Sequence, residues 1–246
     1  MSSAFPILRR SLLAVLGGVL VLAASVSAEP KPEDLTGQQI LERTAEVYAS
    51  CTSYSDSGMV KTLFITPRGD RMDIRPFSTA FVRPDRFRFE FRDSFSRGPE
   101  RRYIVWGQDK EVQAWTGLEP EARKAESLSL ALAGAAGVSG GSAHMIPSLI
   151  FPAEAGARRL TDLTDLQRVE DATLGKIEYF RIQGKYGDSP TTVWIDKASF
   201  LVRRIDLTNT VNDFRTEVSM AYEPVVNGKV TEEMLAFSPP QAAAKD

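Results

Sequence analysis

Residues Thr79 to Arg92 read TAFVRPDRFRFEFR. From Phe87 to Phe91 every second residue is a phenylalanine, and Arg86, Arg88, Glu90 and Arg92 fill the places around them. A β-strand sends alternate side chains to opposite faces, so this run predicts a strand with Phe87, Phe89 and Phe91 inward and the arginines outward. The aromatic face is either the packed core of a sheet or the wall of an apolar cavity. The charged residues, with Arg101 and Arg102, read as a solvated outer surface. A docking patch for a membrane complex or for anionic headgroups is the sharper alternative.

Working outward, the period of two persists. Strands are predicted at Gly58–Thr66, Asp73–Arg83, Arg86–Phe95, Arg102–Trp106 and Glu111–Trp115. The turn residues Pro67-Arg68-Gly69-Asp70 and Gly107-Gln108-Asp109-Lys110 punctuate them. A second series runs through Leu166–Leu174, Lys176–Lys185, Thr191–Asp196, Leu201–Thr208 and Asp213–Glu223, with Val230–Phe237 as a further candidate. That makes roughly ten or eleven short strands joined by tight turns, an antiparallel meander and not a strand–helix alternation. Pairing Trp106 with Glu111 would set both tryptophans of that hairpin, Trp106 and Trp115, on one face with Arg102 and Glu111, a parity that a bulge would undo.

Two stretches leave the pattern. Thr36-Gly37-Gln38-Gln39 fits a capping box, and Ile40, Leu41, Thr44, Val47, Tyr48 and Cys51 follow at helical spacing. This predicts an amphipathic helix over Gly37–Ser50 with Cys51, the chain's single cysteine, as a small buried hydrophobe. From Ser127 to Phe151 the chain carries no acidic or basic residue apart from His144. Gly134, Gly137, Gly140, Gly141 and Pro147 break this run up, so it predicts two short apolar helices, about Glu121–Ala133 and Ser142–Phe151, on a glycine hinge. The second must bend or restart at Pro147. A sheet with an apolar face needs a cover, and this insert supplies one.

Bulk composition narrows the class. Arg9-Arg10, an apolar stretch from Ser11 to Ser25 and the small residues Val26-Ser27-Ala28 read as a signal peptide over residues 1–28, giving a soluble exported protein that begins at Glu29. Thirty basic against thirty-two acidic residues give no electrostatic footprint for nucleic acid. One cysteine excludes an internal disulfide. One histidine and one cysteine leave no donor set for a zinc site, and no cofactor is expected. Gly141-Ser142-Ala143-His144 lacks the G-x-S-x-G elbow, and no Lys-Ser/Thr follows the glycines, so neither hydrolase nor phosphate-loop chemistry is signalled. Pro239-Pro240 stops the last element, and residues 241–246 read as a disordered tail.

The order of helix, meander, apolar insert and second meander resembles the LolA- and LolB-like periplasmic lipoprotein-carrier superfamily, on the side of its poorly characterised relatives. The stretches that carry the resemblance are ILERTAEVYASCTSYSDSG (Ile40–Gly58), FVRPDRFRFEF (Phe81–Phe91), VWIDKASFLVRRID (Val193–Asp206) and the closing FSPP (Phe237–Pro240). The resemblance implies a mostly β fold: a curved, incomplete antiparallel barrel covered by an N-terminal helix and a helical lid, forming one domain over residues 29–240. It implies a soluble, monomeric periplasmic carrier or chaperone that binds the acyl chains of lipoproteins or lipids and meets an envelope membrane complex. The alternative is an envelope sensor or regulatory binding module on the same fold; an enzyme is disfavoured. The residues expected to line the cavity and lid are Phe81, Phe87, Phe89, Phe91, Trp106, Leu128, Leu132, Met145, Leu149 and Phe151.

Overall fold

The structure is a computed structural model that describes residues 31–93, 101–156 and 158–240. The expected leader (1–28), the end of the run to Phe95, the outward placement of the Arg101 side chain and the expected tail (241–246) lie outside the described residues.

The chain opens with α1 (Gly37–Ser50), which starts at the capping box read from the sequence: the Thr36 hydroxyl accepts from the Gln39 amide at 3.3 Å, and the Gln39 side chain accepts from the Thr36 amide at 2.9 Å. Its buried stripe is Ile40, Leu41, Thr44 and Tyr48, continued by Cys51 at the C-cap, while Val47 is half-buried. The Cys51 thiol donates to the Tyr48 carbonyl, and burial pushes its pKa up. Arg83, from the turn after the second strand, donates to the Cys51, Ala49 and Tyr48 carbonyls and so satisfies the open end of the helix.

A first meander follows: β1 (Ser53–Ile65), β2 (Arg71–Val82), β3 (Arg86–Asp93), β4 (Arg101–Gln108), β5 (Glu111–Thr116) and the two-residue β6 (Arg123–Lys124). After the helical insert come β7 (Thr164–Leu174), β8 (Ile177–Tyr186), β9 (Ser189–Asp196), β10 (Val202–Val211), β11 (Phe214–Tyr222) and a two-residue β12 (Val225–Val226). All join in one antiparallel sheet whose order is β6-β5-β4-β3-β2-β1-β11-β10-β9-β8-β7, with β12 added beside β1. The second meander therefore folds back to pair β11 with β1, and β6 and β7 remain as separate edges. This is the incomplete antiparallel barrel that the resemblance implies, in twelve strands where roughly ten or eleven were expected.

The insert forms α2 (Leu128–Val138), α3 (Ser142–Met145) and α4 (Pro147–Ile150). The restart falls at Pro147, as the proline requires. The first helix begins later than the predicted Glu121–Ala133. Arg123 and Lys124 pair with β5 instead, and the Ser127 side chain caps the helix by accepting from the Leu130 amide. It then runs through Gly134, where an added Cβ would lie 2.9 Å from the Tyr103 hydroxyl, so glycine lets α2 approach β4. The break comes at Gly140 and Gly141, both left-handed at φ 62° and 95°.

Val230–Phe237 is not a strand. Residues Glu232–Leu235 make one helical turn, α5, with two glutamates in its first turn. Its partners are aromatic and arginine side chains of β3 to β5, not a neighbouring strand's backbone.

Candidate functional site

The register fixes the inner face. Phe87 stands opposite Gly107, Phe89 opposite Val105 and Phe91 opposite Tyr103, while β2 brings Phe81 opposite Phe87 and Phe77 opposite Phe91. Phe81 and Phe89 are fully buried, and Phe87 and Phe91 nearly so. The predicted residues Phe81, Phe87, Phe89, Phe91, Leu128, Leu132, Met145, Leu149 and Phe151 all belong to one packed cluster. The cover meets the sheet through Phe151, whose ring stands edge-on to Phe81 at 4.8 Å and to Phe87 at 5.5 Å between centroids.

Beside Phe151 the seam between lid and sheet opens. A groove of about 590 Å³ lies there, with Phe87, Val112, Leu128 and Phe151 as its apolar floor. That volume falls within the range of about 300–1,000 Å³ usual for small-molecule pockets. The hinge at the far end of α2 touches the same face: a Cβ on Gly140 would meet Val60 at 3.1 Å.

Trp106 is a correction. It stands opposite Arg88 and Gln113, on the outer face, and its ring packs on Phe237 at 5.0 Å. The hairpin register is two residues from the expected one, with Gln108 opposite Glu111, so parity is kept and Trp106, Trp115 and Arg102 still share a face. That face is not the solvated one expected of Arg88 and Glu90. Phe237 also packs on Trp115 at 5.2 Å, with the Arg88 and Arg102 guanidinium groups over its ring. Arg88 donates to the Ala236 and Glu233 carbonyls, and Arg86 pairs with Glu232. Beneath this C-terminal strap Glu90 is 3% exposed and ion-paired to Arg88, Arg92 and Arg102. Burial opposes its charge, but the hydrogen bonds from Arg102 and Arg92 and the charge of Arg88 win and hold its pKa down at about 2.

The inner face also holds a titratable group that sequence reasoning missed. Asp56 on β1 is buried; its carboxylate accepts from the Tyr54 hydroxyl at 2.7 Å and the Thr79 amide at 2.9 Å. Burial raises its pKa to about 6 against those two bonds, and the neighbouring Tyr54, Tyr48 and Tyr222 hydroxyls are pushed up as well, chiefly by burial. The small residues Ser55, Ser57 and Gly58 hid this part of β1, whose predicted start was Gly58.

His144 lies buried in α3, with Nε2 3.1 Å from the Gly156 carbonyl and Nδ1 3.4 Å from the Tyr186 hydroxyl. The carbonyl can only accept, so Nε2 carries the proton. Ser142 donates to the Ser139 carbonyl, so these two residues form no nucleophile–base pair. Among the described residues no group of three or more His, Cys, Asp or Glu side chains could hold a metal ion, and no helix is long and apolar enough to cross a membrane.

No family profile and no curated protein matches the chain. Solved structures do resemble it. A LolA-superfamily protein of Nitrosomonas europaea is 11% identical over 82% of this chain and 98% of its own, with a TM-score of 0.34. A DUF1329-family protein of Desulfovibrio piger is 12% identical over 81% of this chain and 95% of its own, with a TM-score of 0.36. The Pseudomonas aeruginosa MucA/MucB complex matches at 12% identity over 82% of this chain, with a TM-score of 0.37; this chain spans 61% of the matched one. The likeness is one of fold, and it transfers no residue role, ligand or activity to this chain.

Proposed function

We propose that this chain is a lipid-binding module, a soluble periplasmic carrier or chaperone that holds the acyl chain of a lipoprotein or lipid between its helical lid and its aromatic inner face. The observation that carries the reading is Phe151. It packs on the rings of Phe81 and Phe87 and at the same time lines the open groove, so one lid side chain belongs to both the buried face and the entrance. The lid has joints on either side of α3, at Gly140-Gly141 and at Pro147, over a continuous sheet. The charge-free composition of residues 127–151 (His144 aside) suits a segment whose partner is apolar whether it is shut or loaded. The leader-like residues 1–28 are consistent with export.

The test is hydrogen exchange over residues 127–151, measured with and without a long-chain phospholipid or a lipidated peptide. Exchange there is expected to be faster than in the strands and to slow on loading. Exchange as slow as the strands, and indifferent to every lipid offered, would make the segment ordinary core and remove the carrier reading.

A further inference from the structure

The groove beside Phe151 has a polar collar, and its charge is one-sided. The carboxylates of Asp85, Glu111, Glu126 and Glu154 line it, against the single cation Lys110. Two of the four are held in place. The Lys110 amide donates to Asp85 at 3.0 Å, and Glu111 pairs with Lys124 at 2.7 Å. Glu126 and Glu154 are exposed and make no ion pair among the described residues. Glu126 sits one residue before the Ser127 cap of α2, at the amide end of the helix, which favours a negative charge there. The helix end also attracts anions; of its free amides, that of Leu130 is satisfied by the Ser127 hydroxyl.

Resting on the reading of the groove as the entrance for an apolar chain, we propose that its ligand is an amphiphile whose polar end carries a positively charged nitrogen, and that ligands with an anionic head are refused. The apolar floor takes the alkyl or acyl chain. The carboxylate collar then stands at the level of the headgroup, where field lines from several like charges at the rim of a low-dielectric slot converge. An ammonium there is attracted by Glu126 and Glu154, which make no ion pair among the described residues, in competition with Lys110 alone of the groove's lining. A carboxylate or phosphate monoester meets repulsion from the same pair with one lysine to offset it. Because the collar is open to solvent, the preference depends on ionic strength.

The experiment compares three ligands with one tail, dodecylamine, dodecyl maltoside and laurate, each below its micellar concentration. Binding to the full mature chain is followed by calorimetry, and circular dichroism checks that the fold persists. At low salt the amine is expected to bind roughly tenfold more tightly than laurate, with the maltoside between them, and the gap should narrow at about 0.5 M salt, where the Debye length is below about 5 Å. In the variant carrying Glu126→Lys and Glu154→Lys, both at exposed positions, the order of amine and laurate should invert. Laurate binding as tightly as the amine to the unaltered protein, or an order unmoved by the double substitution, would overturn the headgroup assignment while leaving the apolar groove standing. Failure of all three ligands, the uncharged maltoside included, would instead remove the lipid-binding reading itself.

Discussion

Asp56 offers the sharpest test of how this sheet is balanced. The carboxyl is buried on the inner face, with a tyrosine hydroxyl and a backbone amide as its donors and tyrosines, not cations, as its further neighbours. Its pKa rises from 3.8 to about 6 because two hydrogen bonds do not repay the loss of water. At about 1.36 kcal/mol per pKa unit, that rise is worth about 3 kcal/mol. The sign follows from proton counting. Between pH 4 and 6 the folded chain holds this proton and the unfolded chain has lost it, so stability falls as pH rises through that window. Below it the contribution is whole; above it Asp56 must sit ionised in an apolar face. A loss of about 3 kcal/mol is large against a usual total of about 5–15 kcal/mol. Replacing Asp56 with Asn removes the titration. The Asn oxygen can keep the Thr79 amide, while the Tyr54 bond is re-formed or lost at a cost of about 1 kcal/mol that does not depend on pH. Urea denaturation of both proteins from pH 4 to pH 8 isolates the group, since every other titration cancels in the difference. The variant should gain about 3 kcal/mol relative to wild type across that range and be the more stable protein at pH 8. A difference that stays flat, or that moves the other way, would mean that Asp56 ionises normally and that the inner face is wetter than its packing indicates.

Glu90 should behave in the opposite sense. Its pKa is held near 2, so its stabilisation is present above pH 4.5 and is lost as pH falls toward 2. Glu90→Gln should cost about 3 kcal/mol at pH 7 by leaving arginines against an uncharged group, and the deficit should shrink in acid; equal deficits at pH 7 and pH 2 in urea titrations would refute the assignment. Phe237→Ala should cost about 1–2 kcal/mol and shift tryptophan emission to the red, because Trp106 and Trp115 both pack on that ring. Unchanged emission would show that the strap does not cover this face.

What could be read in advance was whatever local rules decide. Phe87, Phe89 and Phe91 alternate without interruption, so strand and inward face follow from the pleat alone. Thr36 and Gln39 announce α1, and Pro147 fixes the restart in the lid. The errors fall where distant contacts decide. Trp106 has the parity of Arg102 and Trp115, but which side of the sheet that parity faces depends on Phe89 meeting Val105, a pairing that no window around Trp106 contains. Val230–Phe237 groups its polar residues at 231–233 and its apolar ones at 234–237, and Arg86, Arg88, Trp106 and Trp115 hold it as a strap from more than a hundred residues away. Asp56 was invisible for a different reason. It sits among serines at the start of β1, where small polar side chains show no period, and it is buried only because β2 and β11 bring Phe81, Phe77 and Tyr222 around it.

The magnitudes also limit how the lid can work if the groove loads a lipid. A sixteen-carbon chain leaving water gains at most about 13 kcal/mol. Lifting the whole insert would expose Leu128, Leu132, Leu149 and Phe151 at about 1.5–3 kcal/mol each, with Met145 and Ile146 beyond them, and would consume most of that gain. Swinging Phe151 alone out from between Phe81 and Phe87 costs one such step, and the alkyl chain that replaces it restores contact with both rings. The part that moves on loading is therefore the Phe151 side chain, at the end of the short helix that restarts at Pro147, while Leu149 and Ile150 stay buried and α2 stays seated on β4 through Gly134. On this account the exchange change on loading is concentrated at residues 147–156 and is small in α2. A lid that opened as a whole would show the reverse, and could hold its cargo only by closing again over a chain that leaves almost no room for it.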